Sequence, residues 1–283
     1  MKVLVTGAAG TLGREVVRHL RSRGWTVRAD DRVPLDPGEA DEVSSGDLLD
    51  PERVRGIVAG MSAVVHAAAI PAPMLGSEQE IFSNNVMSAY QVLDAAGRAG
   101  VPRIAYISSL SALGFAYSAH GISPESFPVT EEHPCLAEDV YGLSKSLGEG
   151  IARTVALRWG STVVSLRFPF LGHGERLRHH LDYVQADPRN DSRGLWAWLD
   201  TRDAARAIEA ALTRPLTGHH VVQVVADDST SPVPTAELLR GYHPNSVLTE
   251  PIKGCDTTFS TVRSRELLDF TAIHGWRDLA GEE

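Results

Sequence analysis

Short runs of β-branched and other apolar residues alternate with longer stretches of helical periodicity along the first half of this chain, and that alternation predicts a parallel sheet. Residues 2–6, 25–31, 64–68, 104–108 and 163–167 read as strands. Their almost unbroken apolar character is that of strands covered on both faces. Residues 12–23, 51–59, 77–99 and 139–159 carry the helical patterns between them. Right-handed crossovers then wind helices onto both faces of the sheet.

Beyond residue 167 the rhythm breaks into Gly-, His- and Pro-containing loops. A helix near residues 202–212, a strand near 220–225 and two short helices near Thr235 and Arg263 follow. We expect residues 1–167 to bind a nucleotide cofactor. Residues 168–283 should form mainly a substrate-binding lobe, with segments returning to the core in one globular body. Residues 111–134 show no periodicity, and a loop of that length in a compact fold usually has a function, so it should border the active site. Trp196 and Trp198, either side of Ala197, suggest a strand with one aromatic face.

Composition narrows the classes. The 283 residues carry a net charge of −9 and are 43% hydrophobic, which suits a soluble cytoplasmic protein and disfavours nucleic acid as a partner. No run approaches the roughly 18–20 apolar residues that cross a bilayer. No membrane association is expected. Met1 leads straight into a strand rather than a signal peptide, so Cys135 and Cys255 should be reduced thiols. The pairs His179-His180 and His219-His220 lack the spacing and nearby thiols of a zinc site, and no metal is expected.

Two segments carry chemistry. Gly7, Gly10 and Gly13 sit between a strand and a helix, in Thr6-Gly7-Ala8-Ala9-Gly10-Thr11-Leu12-Gly13. Missing β-carbons there let a pyrophosphate reach a helix N-terminus, as in a Rossmann-type fold. Asp31 ends the next strand 18 residues after Gly13, close to the spacing of a ribose-binding acid. A carboxylate there favours NAD, whereas Arg28 and Arg32 could neutralise the extra phosphate of NADP. Asp30 competes for the role but points to the other face, and we read it as a solvated strand-end charge. Tyr141 and Lys145 share a helical face, so the ammonium should lower the phenol's pKa and hold the cofactor ribose.

With these motifs in hand, the chain resembles the extended short-chain dehydrogenase/reductase family, in its NAD-dependent nucleotide-sugar epimerase/dehydratase branch. The resemblance runs from Met1 to about Ala211 through the glycine turn, Gly46-Asp47-Leu48, His66-Ala67-Ala68-Ala69, Asn84-Asn85-Val86, Tyr106-Ile107-Ser108-Ser109, the Tyr141/Lys145 pair and Leu166-Arg167-Phe168-Pro169. It implies that Asp47 and Leu48 lie near adenine, that Ala67, Ala68 and Ala69 line the cofactor with Ser108, and that Pro169 packs by the nicotinamide. Asn85 would support the structure around the cofactor. The family's substrate-binding Ser or Thr falls on Ser109, counting back from Gly114. Ser108 and Ser111 have the alternative reading of strand-end caps. His66 reads as a packed histidine, and Asp203 as a cap on backbone amides.

Departures from the family pattern select the reaction. Leu110 and Ser111 stand where the family's dehydratases carry Asp-Glu, which disfavours dehydration. Phe168-Pro169-Phe170 replaces the Asn that contacts a nucleotide diphosphate, and the lobe is short, similar to that of uronate dehydrogenases. The expected function is an NAD(P)-dependent oxidoreductase acting at a hydroxyl or carbonyl carbon of a sugar, a sugar acid or a similar small polar substrate. His173, Arg176 and Arg178, with His179 and His180, are candidates for recognising carboxylate or phosphate, with a solvated basic loop as the plain alternative, and Ser111 is a further candidate for the substrate site. Two other functions stay open: a nucleotide-sugar epimerase that retains NAD, and a non-catalytic NAD(P)-binding sensor or scaffold. A homodimer through residues 77–99 and 139–159 is expected.

Overall fold

The computed structural model describes residues 1–277. The first half supplies strands β1 (Lys2–Thr6), β2 (Thr26–Asp31), β3 (Glu42–Ser45), β4 (Ala63–His66) and β5 (Arg103–Ser109). The helices, in chain order, are α1 (Thr11–Ser22), α2 (Pro51–Val58), α3 (Glu78–Arg98), α4 (Val140–Trp159), α5 (Gly174–Ala186), α6 (Thr201–Thr213), α7 (Thr235–Tyr242) and α8 (Val262–Leu268). Strands Thr162–Phe168 and His219–Gln223 complete a seven-stranded parallel sheet ordered His219–Gln223, Thr162–Phe168, β5, β4, β1, β2, β3. The winding direction reverses between β4 and β1. In doubly wound sheets a crevice opens beyond the strand ends at that point.

The period of two along each strand decides which core a side chain joins. Val3 and Val5 pack with α1 residues Val16, Val17 and Leu20 and α6 residues Ala204, Ala207 and Ile208. Leu4 faces the other way, into a second core with Val54 of α2, Leu93 of α3 and Ala152 of α4. Each such Val or Leu, fully buried, contributes about 1.5–3 kcal/mol. Polar caps start the helices where the pattern requires. Asp50 accepts from the amide of Glu52, Ser77 and Glu80 form a reciprocal capping box, and Asp139 accepts from the amide of Gly142.

Three sequence expectations change. Residues 174–186 are helical rather than loop, because Leu177, Leu181 and Val184 recur at helical spacing and are buried. Trp196 and Trp198 do not share one strand face. Trp198 joins the first core and Trp196 a third one, with Leu195 and Trp196 both in the left-handed backbone region at φ 57° and 55°. The boundary at residue 167 also does not separate the lobe. Phe115, Phe127 and Val129 pack in that third core with Trp196, Leu238, Leu239 and Phe259. Ser126–Phe127 pairs with Val247–Leu248, and Val129 bridges to Phe259. Among the described residues no helix is long and apolar enough to cross a membrane.

Candidate active site

The crevice is a cavity of about 1340 Å³ lined from both the sheet and the lobe. Its floor begins at the end of β1, where Gly7 takes φ 72° and a β-carbon would lie 2.6 Å from the Ala68 amide nitrogen. At Gly13 a β-carbon would come within 2.0 Å of the Gly7 carbonyl oxygen. Any side chain at either position forces the turn open. Gly10 caps α1 without a side chain, and no acidic residue occupies the first turn, so the amides of this helix end are left for a ligand. Gly10, Thr11, Leu12 and Gly13 all line the cavity.

Asp31 also lines it, its carboxylate accepting from the amides of Ala9 at 2.9 Å and Val33 at 3.0 Å. Asp30 is not the solvated charge expected. It is fully buried and paired with Arg53, while Ser44 Oγ donates to it at 2.5 Å. Burial pushes its pKa up and the bond to Arg53 opposes the shift. Arg28 is turned away as well: it pairs with Glu42 at 2.5 Å and is absent from the lining, whereas Arg32 lines the cavity. Asp47, Leu48, Ala67, Ala68, Ala69 and Pro169 line it too. Asn85 lies behind this wall. Its Oδ1 accepts from the Ile70 amide at 2.8 Å and its Nδ2 donates to the Ile70 carbonyl at 3.0 Å, while Asn84 is the one that lines the cavity.

Helix α4 carries Tyr141 and Lys145 into the same cavity, both buried. Lys145 Nζ donates to the Ile107 carbonyl at 2.8 Å and sits 5.7 Å from the Tyr141 ring centre. Burial pulls Lys145 down to about 8, with Glu149 opposing. The expectation that Lys145 depresses Tyr141 is reversed in the free protein. Burial pushes the phenol above its ordinary value, and a hydrogen bond with Ser109 is the opposing influence. Ser109 thus sits against Tyr141, and its Oγ accepts from the Ser111 amide at 3.1 Å as the cap of the turn after β5. Of the three serines, the cap is Ser109, not Ser108 or Ser111. Ser108 Oγ donates to Glu149 at 2.6 Å, and Glu149 is doubly bonded to Arg167, all three buried. Ser111 faces the cavity.

Of the other substrate candidates, Arg176 lines the cavity, lying over the Phe170 ring at 5.0 Å and donating to the Leu171 carbonyl. His173 and Arg178 do not line it. His173 precedes α5, and Arg178 falls on another face of that helix from Arg176, His180 and Tyr183, which recur at helical spacing and do line it. Reading the region as loop hid that face. Tyr183, Asn190, Asp191 and Arg193 are cavity residues that sequence reasoning missed, and the Leu177/Leu181/Val184 spacing is the signal that could have found α5. Asp203 caps amides, those of Ile273 and His274 at 2.9 Å, while Asp200 caps α6 itself. Among the described residues no group of three or more His, Cys, Asp or Glu is placed to hold a metal ion.

His66, beneath the turn, is packed with Nδ1 2.8 Å from Thr6 Oγ1. Burial, helped by the Lys145 charge, pushes it down to about 3. The unfolded imidazole takes a proton below about pH 6.5 and the folded one only near pH 3, so this contribution to stability is complete above 6.5 and is lost as pH falls. Urea unfolding should show about 2 kcal/mol less stability at pH 5 than at pH 7 from this residue, at about 1.4 kcal/mol per pH unit. His66→Asn should shrink the difference by that amount; an unchanged difference would assign the acid sensitivity to other groups.

The chain matches the model of the NAD dependent epimerase/dehydratase family over residues 3–225. It is 32% identical over 237 residues to a uronate dehydrogenase of Pseudomonas syringae pv. tomato, covering 81% of this chain and 76% of that one. Identity to an NAD-dependent glucose-6-phosphate dehydrogenase of Haloferax volcanii is 28% over 256 residues, or 86% and 92% of the two chains. A solved short-chain dehydrogenase/reductase superfamily protein from Agrobacterium tumefaciens with bound NAD superposes with a TM-score of 0.75 at 28% identity, covering 100% of this chain and 95% of that one.

Proposed function

Because the chain belongs to the NAD-dependent epimerase/dehydratase family, we propose that it is an NAD-dependent dehydrogenase that oxidises a hydroxyl-bearing carbon of a sugar or sugar acid. The observation that carries this reading is the convergence of Ser109, Tyr141 and Lys145 on the cavity that also receives the uncapped end of α1 and the Asp31 carboxylate. The names of the two dehydrogenase relatives support the substrate class.

The residues fit the cofactor. The amides at Thr11 to Gly13 suit a pyrophosphate, Asp31 suits the two hydroxyls of a ribose, and Gly7 and Gly13, lacking β-carbons, let the turn close tightly against Ala68 and on itself beneath them. When bound, NAD supplies the hydride acceptor. Ser109 holds the substrate hydroxyl, Tyr141 takes its proton, and Lys145 holds ribose and favours the phenolate. Asp47, Leu48, Ala67, Ala68, Ala69 and Pro169 form the cofactor walls, Asn85 fixes the backbone behind them, and Ser111 and Arg176 face the substrate.

We place the reaction in the cytoplasm, where Cys135 and Cys255, both free, stay reduced. A homodimer is supported by apolar side chains exposed on α3 and α4, among them Phe82, Met87, Tyr90, Leu143 and Leu147. The test incubates the protein with NAD or NADP and a panel of aldoses, sugar phosphates, uronic acids and nucleotide sugars, following reduced nicotinamide by absorbance. NAD should be reduced with a free sugar or sugar acid. Conversion of a nucleotide sugar to its epimer without net reduction would replace this reading with a cofactor-retaining epimerase, and preference for NADP would move the selectivity from Asp31 to Arg32.

A further inference from the structure

On the lobe side of the cleft two buried polar atoms have no hydrogen-bond partner among the described residues, Oδ2 of Asp191 and Nε2 of His180. Both residues line the cleft, and the two atoms face each other across 3.9 Å, too far for a hydrogen bond. Buried polar atoms without partners are rare because each forfeits its hydration for nothing. Two of them facing each other inside a substrate cleft mark a place that a ligand completes.

The surroundings hold this pair in position. The His180 ring stacks on Phe170 with centres 3.8 Å apart and planes 14° from parallel, and Arg176 lies over the same Phe170 ring. Asp191 begins a turn that runs through Leu195 and Trp196, both in the left-handed region, an uncommon conformation for bulky residues. That strained turn is tied down by Trp196 Nε1 to the Pro188 carbonyl at 2.8 Å, Thr258 Oγ1 to the Leu195 carbonyl at 3.0 Å, and the Thr230 amide to the Trp196 carbonyl at 3.1 Å. Gly194 leaves space for the carboxyl, since a β-carbon there would meet Asp191 Oδ1 at 2.1 Å.

We propose that Asp191 and His180 recognise a single non-reacting hydroxyl of a polyhydroxylated substrate, which accepts from Nε2 of His180 and donates to Oδ2 of Asp191. The proposal rests on the reading of the protein as a dehydrogenase of sugars. A hydroxyl is the group that fits, because it carries one donor and two acceptor positions on one oxygen. An oxygen at ordinary hydrogen-bond length from both atoms subtends close to a right angle across the 3.9 Å gap. A carboxylate or phosphate could accept from His180 but would be repelled by Asp191. The pair is also not an ion pair despite its spacing: burial raises Asp191 to about 7, while burial and Arg176 lower His180 to about 4. Above neutral pH it therefore presents a carboxylate acceptor beside a neutral imidazole donor.

The experiment measures calorimetric binding of monosaccharides and their monodeoxy counterparts to the NAD-loaded protein, with turnover followed in parallel. The native protein should bind the sugar carrying the recognised hydroxyl about 10–100-fold more tightly than the counterpart lacking it. In Asp191→Leu, and in His180→Phe, which keeps the stack on Phe170, that ratio should fall to within about threefold of unity. The midpoint of thermal unfolding should stay unchanged or rise in Asp191→Leu, because an unpaired buried carboxyl is removed. A ratio that survives both substitutions, or equal weakening toward every sugar with a lowered midpoint, overturns the proposal in favour of a structural role. Binding and discrimination without turnover overturn the dehydrogenase reading and leave the pair supported. Absence of any monosaccharide binding overturns both.

Discussion

Tyr141→Phe lowers kcat for sugar oxidation by about 10³-fold, within the range that positioned acid–base groups supply, while the dissociation constant for NAD changes by less than about threefold. The ring is buried against Tyr117 in an edge contact at 6.2 Å, and phenylalanine preserves that packing. What it removes is the hydroxyl, on which Ser109 acts to lower the pKa, that is proposed to take the substrate proton. Burial holds the phenol protonated well above its ordinary range, so oxidation, which needs the phenolate, should accelerate as pH rises from 6 to 9 in the native enzyme. The residual rate of the variant should lose that dependence. Stopped assays of NADH formation across this range, with tryptophan fluorescence to follow cofactor binding, decide the matter. A variant within tenfold of the native kcat sinks the assignment and favours the non-catalytic NAD(P)-binding sensor.

The largest effect on stability is expected at Arg167. Its guanidinium donates to both carboxylate oxygens of Glu149 at 2.8 Å, and Glu149 accepts from Ser108 as well. Arg167 and Glu149 are 3% and 7% exposed, so neither charge has water to fall back on. Removing one partner of such a pair leaves an uncompensated buried charge, at a cost of about 3–5 kcal/mol. Arg167→Met should therefore shift the urea midpoint sharply downward, whereas Arg167→Met/Glu149→Leu should recover most of the loss by removing the stranded carboxylate too. A single variant that loses no more than about 1 kcal/mol would put the pair in the class of solvated surface bridges. Since Phe168 and Pro169 follow Arg167 directly and line the cleft, the destabilised variant should also bind NAD more weakly.

How far the sequence discloses this molecule depends on how local the governing interaction is. The β1–turn–α1 unit, the core strands and the Tyr141/Lys145 face follow from neighbours a few positions apart, and the doubly wound sheet follows from those elements. Asp30 is different, because its partner Arg53 lies on α2, beyond the next strand. Nothing in the strand itself separates a buried, paired carboxylate from a solvated one. The direction of the Tyr141 shift was likewise hidden. Helical spacing correctly brings Lys145 near, but burial of the ring, a property of the assembled cleft, outweighs it. In α5 the run of Arg and His masked an amphipathic helix whose apolar face is only three residues long. The Asp191 and His180 pair became visible only once that helix and the strained turn met.

The pairing of Ser126–Phe127 with Val247–Leu248, and of Val129 with Phe259, bears on how new specificities could be grafted onto this scaffold. A chimaera that joins residues 1–167 to a relative's C-terminal half would separate Phe115 and Phe127 from the Trp196 and Phe259 they pack with. Recombination that carries residues 110–134 together with the lobe transplants an intact core, and is the exchange expected to yield folded hybrids.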